Sequence, residues 1–332
     1  MNAKIPRRKF FKFGLCLSAA GLGGCERPPL RAEKPPRLDA RFTYDVSRFE
    51  RIDPSLLCYE EKTSFAVELQ EPTCLATTGA EILVGGDRLL KRFDRSGRLL
   101  GAIRLPDKPV ALDPLEDGSV RVGFRDRWSV FDRNGAAVSG CEPLGERVRI
   151  TALAHAGSLV FVADAGNREV LRCDATGRVL SRLKGFIVPS PYFDLCVSAD
   201  GRLWVVNPGK HRVEAYTFDG QYLTGWGSTA MLPEGFCGCC NPVYFARLPD
   251  GRFVTSEKGL VRVKVYHSDG RFECVVAGPE QLVKDRELAR KACANCQVGF
   301  GLPVAADEQG RVLILDVVLR RVRIFERREK TA

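Results

Sequence analysis

The chain is 332 residues long, with 51 basic and 41 acidic residues and a formal net charge of +10. Half of that excess sits in residues 1–24, where Lys4, Arg7, Arg8, Lys9 and Lys12 meet no acid, so the remainder carries +5. Beyond that segment Lys and Arg are scattered among Asp and Glu, with no basic block interleaved with aromatics, which excludes nucleic acid as an expected partner.

The first segment reads "MNAKIPRRKFFKFGLCLSAAGLGGC". Arg7 and Arg8 are followed by Lys9, Phe10, Phe11 and Lys12. An apolar stretch then runs from Phe13 to Gly24. It is too short to span a bilayer, which takes about 20 apolar residues, but it suits the hydrophobic part of a signal. It ends in Leu22-Gly23-Gly24-Cys25. These residues resemble a twin-arginine export signal, R-R-x-F-x-K, closing in a lipobox, with Pro6 where that family often has Ser or Thr. The resemblance implies cleavage before Cys25, lipidation of Cys25, and an exported body held on the periplasmic or extracytoplasmic side of a membrane. Each buried CH2 of an acyl chain contributes roughly 0.8 kcal/mol, so two or three chains anchor firmly. Pro28, Pro29, Pro35 and Pro36 then stand among charges and make an extended stalk. The expected division is an export signal over 1–24, a Pro-rich stalk and lead-in over 25–60, and a folded body over 61–328.

The body repeats itself. Six segments, from "TTGAEILVGGDRLLKRF" (77–93) to "EQGRVLILDVVLRRVRIF" (308–325), share a Gly-containing turn, a short apolar strand, a polar break and a second apolar strand. Their leading glycines are Gly79, Gly118, Gly157, Gly201, Gly251 and Gly310. A further Asp- or Asn-bearing turn and another strand usually follow, as in "FDRSGR" (93–98) and "LLGAIRL" (99–105). Four strands per unit make one propeller blade, and a blade buries both faces only when stacked against neighbours. Asp164 with Asn167, Asn207 with Arg212, Glu257 with Arg262, and Asp316 with Arg321 fall on the polar positions of the break. With these, the segments resemble NHL repeats over about residues 63–327. Glu169 stands where Arg is usual, and the breaks "GGDR" and "FRDR" of the first two units fit less closely. The expected fold is all-β, a six-bladed β-propeller. The sixth unit ends after its third strand, so Thr63–Leu69 is expected to pair with Val322–Glu326 and close the ring, which removes a raw sheet edge.

The wide glycine spacings mark two insertions. One is "STAMLPEGFCGCCNP" (228–242), between blades 4 and 5; the other is "GPEQLVKDRELARKACANCQVGFGLP" (278–303), between blades 5 and 6. The second holds a short helix candidate beginning near Pro279. Both run from an outer strand to the next inner strand, so both belong to one face of the ring. Cys237, Cys239, Cys240, Cys293 and Cys296 are expected to gather there, and long loops on a rigid scaffold are where function tends to sit. Two C-x-x-C steps, Cys237/Cys240 and Cys293/Cys296, supply four thiolates, enough for tetrahedral Zn or an iron–sulfur cluster. Disulfides are the other reading, since cysteines in an exported compartment usually pair. Of 13 cysteines, Cys16 leaves with the signal and Cys25 is lipidated; the eleven that remain are an odd number, so pairing alone does not absorb them. A vicinal Cys239–Cys240 disulfide would be strained and easily reduced. Cys74, Cys196, Cys173 and Cys274 fall on strands and read as small buried apolar residues. Cys58 and Cys141 fall in connections and could pair.

His155, His211 and His267 read as solvated turn residues. No G-x-S-x-G, H-E-x-x-H or phosphate-cradling loop occurs. Two functions remain open: a membrane-anchored binding or scaffold module that meets a redox-associated protein partner through the cysteine-bearing face, or a metal- or iron–sulfur-dependent redox enzyme or electron-transfer protein using Cys237, Cys240, Cys293 and Cys296.

Overall fold

The computed structural model describes residues 47–283 and 300–329. The chain enters through a single turn of helix, α1 (Ser47–Glu50), and then a strand, β1 (Tyr59–Ala66). Blade 1 is β2 (Pro72–Thr77), β3 (Glu81–Gly86), β4 (Leu89–Asp94) and β5 (Leu99–Arg104). Blade 2 is β6 (Ala111–Pro114), β7 (Val120–Gly123), β8 (Trp128–Phe131) and β9 (Ala137–Gly140). Blade 3 is β10 (Ile150–Ala156), β11 (Leu159–Asp164), β12 (Glu169–Cys173) and β13 (Val179–Leu183). Blade 4 is β14 (Leu195–Val197), β15 (Leu203–Asn207), β16 (Arg212–Tyr216) and β17 (Tyr222–Trp226). Blade 5 is β18 (Tyr244–Arg247), β19 (Phe253–Ser256), β20 (Val263–Tyr266) and β21 (Phe272–Ala277). Blade 6 is β22 (Val304–Ala306), β23 (Val312–Asp316), β24 (Arg321–Arg327) and, as its outer strand, β1. The molecule is a six-bladed β-propeller.

Why these residues form these sheets is visible in the burial. The second strand of a blade is sandwiched between neighbouring blades, and β7, β15, β19 and β23 are buried along their whole length. Such strands read as continuous apolar runs rather than as alternation. The outer strands of blades 1 and 2 carry exposed residues instead. The apolar core is divided into six clusters, one between each pair of adjacent blades; one joins Leu83 and Leu90 of blade 1 to Val120 and Val122 of blade 2. Five of the six leading glycines, all but Gly79, turn at positive φ. In blade 1 the short break is a two-residue hairpin with Asp87 and Arg88 at φ 49° and 62°, the geometry of a primed turn. That accounts for the poor match of "GGDR" to the longer breaks.

The ring closes as the sequence led us to expect, with Thr63 opposite Ile324, Phe65 opposite Val322 and Ala66 opposite Arg321. The closing strand begins four residues earlier than expected, at Tyr59, and stops at Ala66. The residues before it are also ordered: Leu57 makes a parallel bridge to Val275 on β21. This lead-in covers the edge of blade 5, an edge that would otherwise offer unpaired backbone groups. Helix α2 (Pro279–Leu282) opens the blade 5–6 insertion; the rest of the expected helix lies outside the described residues. Among the described residues no helix is long and apolar enough to cross a membrane.

Candidate functional site

The loop between blades 4 and 5 is built around Phe236. Its ring is buried, 5.6 Å from that of Tyr266 and 4.5 Å from Lys264 Nζ. The loop closes on itself where Phe236 N donates to Ser228 O at 2.8 Å and Ala230 N donates to Phe236 O at 3.1 Å. Beneath it, Glu257 of blade 5 accepts from Cys237 N at 2.9 Å and holds Arg262 Nε at 2.6 Å and Lys264 Nζ at 3.2 Å. The two cations reach on into the loop: Arg262 donates to Met231 O at 2.8 Å and Lys264 to Gly235 O at 2.5 Å. All three side chains are buried. Burial pulls the Lys264 ammonium down to about 8, against the pull of Glu257 in the other direction.

Asn241 fixes the path of the cysteines. Its amide donates to Cys237 O at 2.7 Å and to Lys258 O at 3.1 Å, and its carbonyl accepts from Lys258 N at 2.9 Å. His211 lies under Gly238, donating from Nε2 to Gly238 O at 2.8 Å, with Nδ1 3.1 Å from Thr229 Oγ1. It is therefore a buried brace of the loop rather than the solvated turn residue expected; the left-handed backbone at φ 57° aims it inward.

Three groups converge on Cys240. Ser190 Oγ lies 3.5 Å and Cys239 Sγ 3.1 Å from its sulfur. Lys258 Nζ stands beside them, donating to Ser190 Oγ at 3.0 Å, so that its charge acts on the same sulfur. Burial alone would push the Cys240 thiol up, but Lys258, Ser190 and Cys239 together bring it below its ordinary value. Cys239 moves the other way, raised by its bond to Cys240 and by burial. Cys240 is buried and Cys239 exposed. Cys237, also buried, is raised by burial and by the nearby Glu257 carboxylate. The Lys258 ammonium also rests 5.2 Å from the ring of Tyr192.

The structure thus brings Cys237, Cys239 and Cys240 into one loop with three residues that sequence reading did not single out: Lys258, Ser190 and Asn241. Lys258 stands in the polar break of blade 5, "SEKGL", which faces the same side of the ring as the insertion; that placement was the available signal. Cys293, Cys296, Cys25, Arg7 and Arg8 lie outside the described residues. The chain returns from the second insertion on this face, where Gly301 N donates to Tyr192 OH at 3.4 Å. Among the described residues no group of three or more His, Cys, Asp or Glu side chains is arranged to hold a metal. Of the proposed donor set, Cys237 Sγ faces Lys258 O at 3.9 Å, and the Lys258 charge acts on Cys240.

The nine cysteines of the described residues are free thiols. Cys58 and Cys141, for which the sequence fixes no partner, lie on different cores. Cys58 packs on the core between blades 5 and 6 that contains Cys274, and Cys141 on the core between blades 2 and 3 that contains Cys173. Cys74, Cys173 and Cys274 are buried as expected and Cys196 is half-buried; Cys74 and Cys196 both line the central channel.

That channel is a cavity of about 440 Å³ lined by the inner strand of every blade. His155 faces it from β10, with Nδ1 2.8 Å from Asp113 Oδ1, and Asp113 also pairs with Arg121. Its bond to Asp113 raises the imidazole above the usual histidine value, with burial opposing. Placing His155 in a solvated turn was wrong: it precedes Gly157 by two residues, on the end of an inner strand. Asp194 faces the same cavity and accepts from Leu195 N at 2.9 Å and Phe245 N at 3.0 Å. Burial pushes its carboxyl up to about 7. His267 sits in a turn, as expected.

No protein-family model and no curated protein matches the chain. Solved structures do. A protein of unknown function from Bacteroides caccae is 16% identical with a TM-score of 0.51, over 63% of this chain and 82% of its own. A streptogramin B lyase is 9% identical with a TM-score of 0.54, over 81% of this chain and 98% of its own. A catalytically inactive virginiamycin B lyase from Staphylococcus aureus with quinupristin is 12% identical with a TM-score of 0.52, over 76% and 80%. At these identities the likeness extends to the propeller fold and no further.

Proposed function

We propose that this chain is an exported, lipid-anchored NHL-type propeller that binds a redox-active protein partner through its cysteine-bearing face, with Cys240 as the reacting thiol. The observation that carries the reading is the convergence of Lys258, Ser190 and Cys239 on the Cys240 sulfur. A thiolate beside a lysine is the nucleophilic form of cysteine. In this reading the Cys240 thiolate attacks a disulfide of the partner. A Cys240–partner disulfide forms, the partner's S–S bond breaks, and the electron pair leaves on the partner's second sulfur. Cys239, whose sulfur lies 3.1 Å away, then attacks Cys240 and releases the partner's first sulfur; its proton goes to a departing thiolate. The partner gains two electrons and, taking its second proton from water, becomes a dithiol, and the chain holds a strained vicinal disulfide that is readily reduced again. The fixed loop, tied by Glu257, Arg262, Lys264 and Asn241, gives that partner a rigid surface. The twin-arginine and lipobox resemblance supports the location, and Cys25 would carry the anchor.

The test is the pH dependence of alkylation. Iodoacetamide should alkylate Cys240 with a midpoint below the ordinary thiol value of about 8.5, read by peptide mass. In Lys258→Met that midpoint should rise and the rate at neutral pH should fall, while Cys274 stays unreactive in both. Equal midpoints in the two proteins, at or above the ordinary value, would sink the assignment of Cys240.

A further inference from the structure

A second pair of thiols, far along the chain from the cysteine-bearing loop, stands at the place where the ring is joined. Cys58 is the residue before β1, the strand that closes blade 6. Its backbone is held from both sides: Cys58 N donates to Val275 O at 3.2 Å on β21, and Cys58 O accepts from Arg328 N at 2.8 Å beyond β24. Its neighbour Leu57 bridges Val275. Cys274 lies on β21 opposite Val265, buried in the core between blades 5 and 6, and Cys58 packs on that same core. The Cys58 side chain thus packs in the core that holds Cys274, while its backbone is bonded to the residue next to Cys274.

We propose that Cys58 and Cys274 are a disulfide-forming pair that locks the ring closed in an oxidising compartment. The inference is independent of the assignment of Cys240. The structure holds the reduced form, and the oxidant is a disulfide of another protein or of glutathione. Cys58 is the entry point, because it is half-buried while Cys274 is sealed from solvent. Burial, together with the neighbouring Cys58, also keeps the Cys274 thiol protonated. The Cys58 thiolate attacks the oxidant and forms a mixed disulfide, with one oxidant sulfur leaving as a thiolate. The Cys274 sulfur then attacks Cys58, the second oxidant sulfur leaves, and the protons of both chain thiols end on the oxidant, now two thiols.

The consequence lies in the topology. The bond would enclose blades 1 to 5 in one covalent loop. It would also fix the residue before β1 to blade 5, so that strand stays beside β24 even when the hydrogen bonds between them break. Among the described strands β1 and β24 are the one pair that is not consecutive along the chain, and a cross-link that closes a long loop removes the most freedom from the unfolded chain.

The experiment uses the full chain in detergent, incubated with oxidised glutathione, blocked with N-ethylmaleimide and digested without reduction. The expected product is a peptide holding Cys58 joined to one holding Cys274. The oxidised protein should melt about 5–10 °C above its dithiothreitol-reduced form. Cys58→Ser should abolish both the joined peptide and the reductant-sensitive part of the melt. In Cys274→Ala, Cys58 should stop at the mixed disulfide and carry glutathione. Recovery of Cys58 and Cys274 both as maleimide adducts after oxidation, or either of them joined to another cysteine, would overturn the proposal.

Discussion

Blades 3 and 5 place a carboxylate at the same position of the repeat and use it differently. In blade 3, Asp164 Oδ1 accepts from the amides of Arg149, Gly166 and Asn167 at 2.9, 2.9 and 3.2 Å, and Oδ2 accepts from the Asn167 side chain at 2.7 Å. In blade 5, Glu257 is one methylene longer. The backbone closes that turn without it, by Glu257 N to Arg262 O at 2.9 Å, and the carboxylate reaches up to Cys237 N and across to Arg262 and Lys264. Five residues on, the reversal at Glu169 is explained the same way: it is buried and paired with Arg182 of the next strand, whereas Arg262 turns back to Glu257. A position that closes a turn needs neutral amide donors. A position that holds an insertion needs cations that themselves reach into it.

The largest effect should come from Arg262→Ala. It leaves buried Glu257 with Lys264 as its one cation, and breaking one side of a buried ion pair costs about 3–5 kcal/mol. Asp164→Ala removes an acceptor shared by amides and should cost about 1–3 kcal/mol. Urea unfolding of both variants gives the ranking. If Asp164→Ala is the more damaging, the distinction between the two blades fails.

The distinction also separates what was legible in the sequence from what was not. Strand pairing, blade number and ring closure follow from short-range rules: apolar runs, a glycine turn, a missing last strand. The three loop cysteines were found because C-x-x-C is a local pattern. Lys258 and Ser190 were missed because they reach Cys240 from two other connections, and only the ring brings those together. His155 was misplaced for want of a strand boundary: two residues decide whether it faces solvent or the channel.

A third carboxylate sharpens the contrast, since Asp194 has amide donors and no paired cation. Its folded value of about 7 lies above the unfolded value. The native state therefore holds this proton more tightly, and the stability linked to it is complete below about pH 4 and lost as pH rises toward 7. Asp194→Asn cannot titrate. The wild type should lose a few degrees of melting temperature relative to Asp194→Asn between pH 4.5 and 7.5, after matching ionic strength. Parallel profiles would mean that the carboxyl titrates normally and that the channel is wetter than its lining suggests.

The smallest effect tests the role of burial itself. Asp174 and Arg178 of blade 3 make the same kind of contact as Glu257 and Arg262, with Arg178 Nε 3.0 Å from Asp174 Oδ2. Here, however, the arginine side chain is 77% exposed, against 1% for Arg262. The turn is already closed by other donors: Thr176 N at 3.0 Å, Thr176 Oγ1 at 2.7 Å and Arg178 N at 3.0 Å all reach Asp174 Oδ1. The Thr176 hydroxyl, with these amides, already draws the Asp174 carboxyl down to about 2. An exposed guanidinium adds little to a carboxylate so well satisfied, because water and salt screen it. Arg178→Ala should leave the urea midpoint unchanged at low and at high salt. Arg311→Ala removes the arginine of a similarly bonded turn, between β22 and β23 of blade 6, where it is bonded to Asp307 at 2.7 Å and only 13% exposed, and should shift the midpoint measurably. If both variants are silent, or both destabilise alike, solvent access is not what sets these turns apart from the Glu257 network.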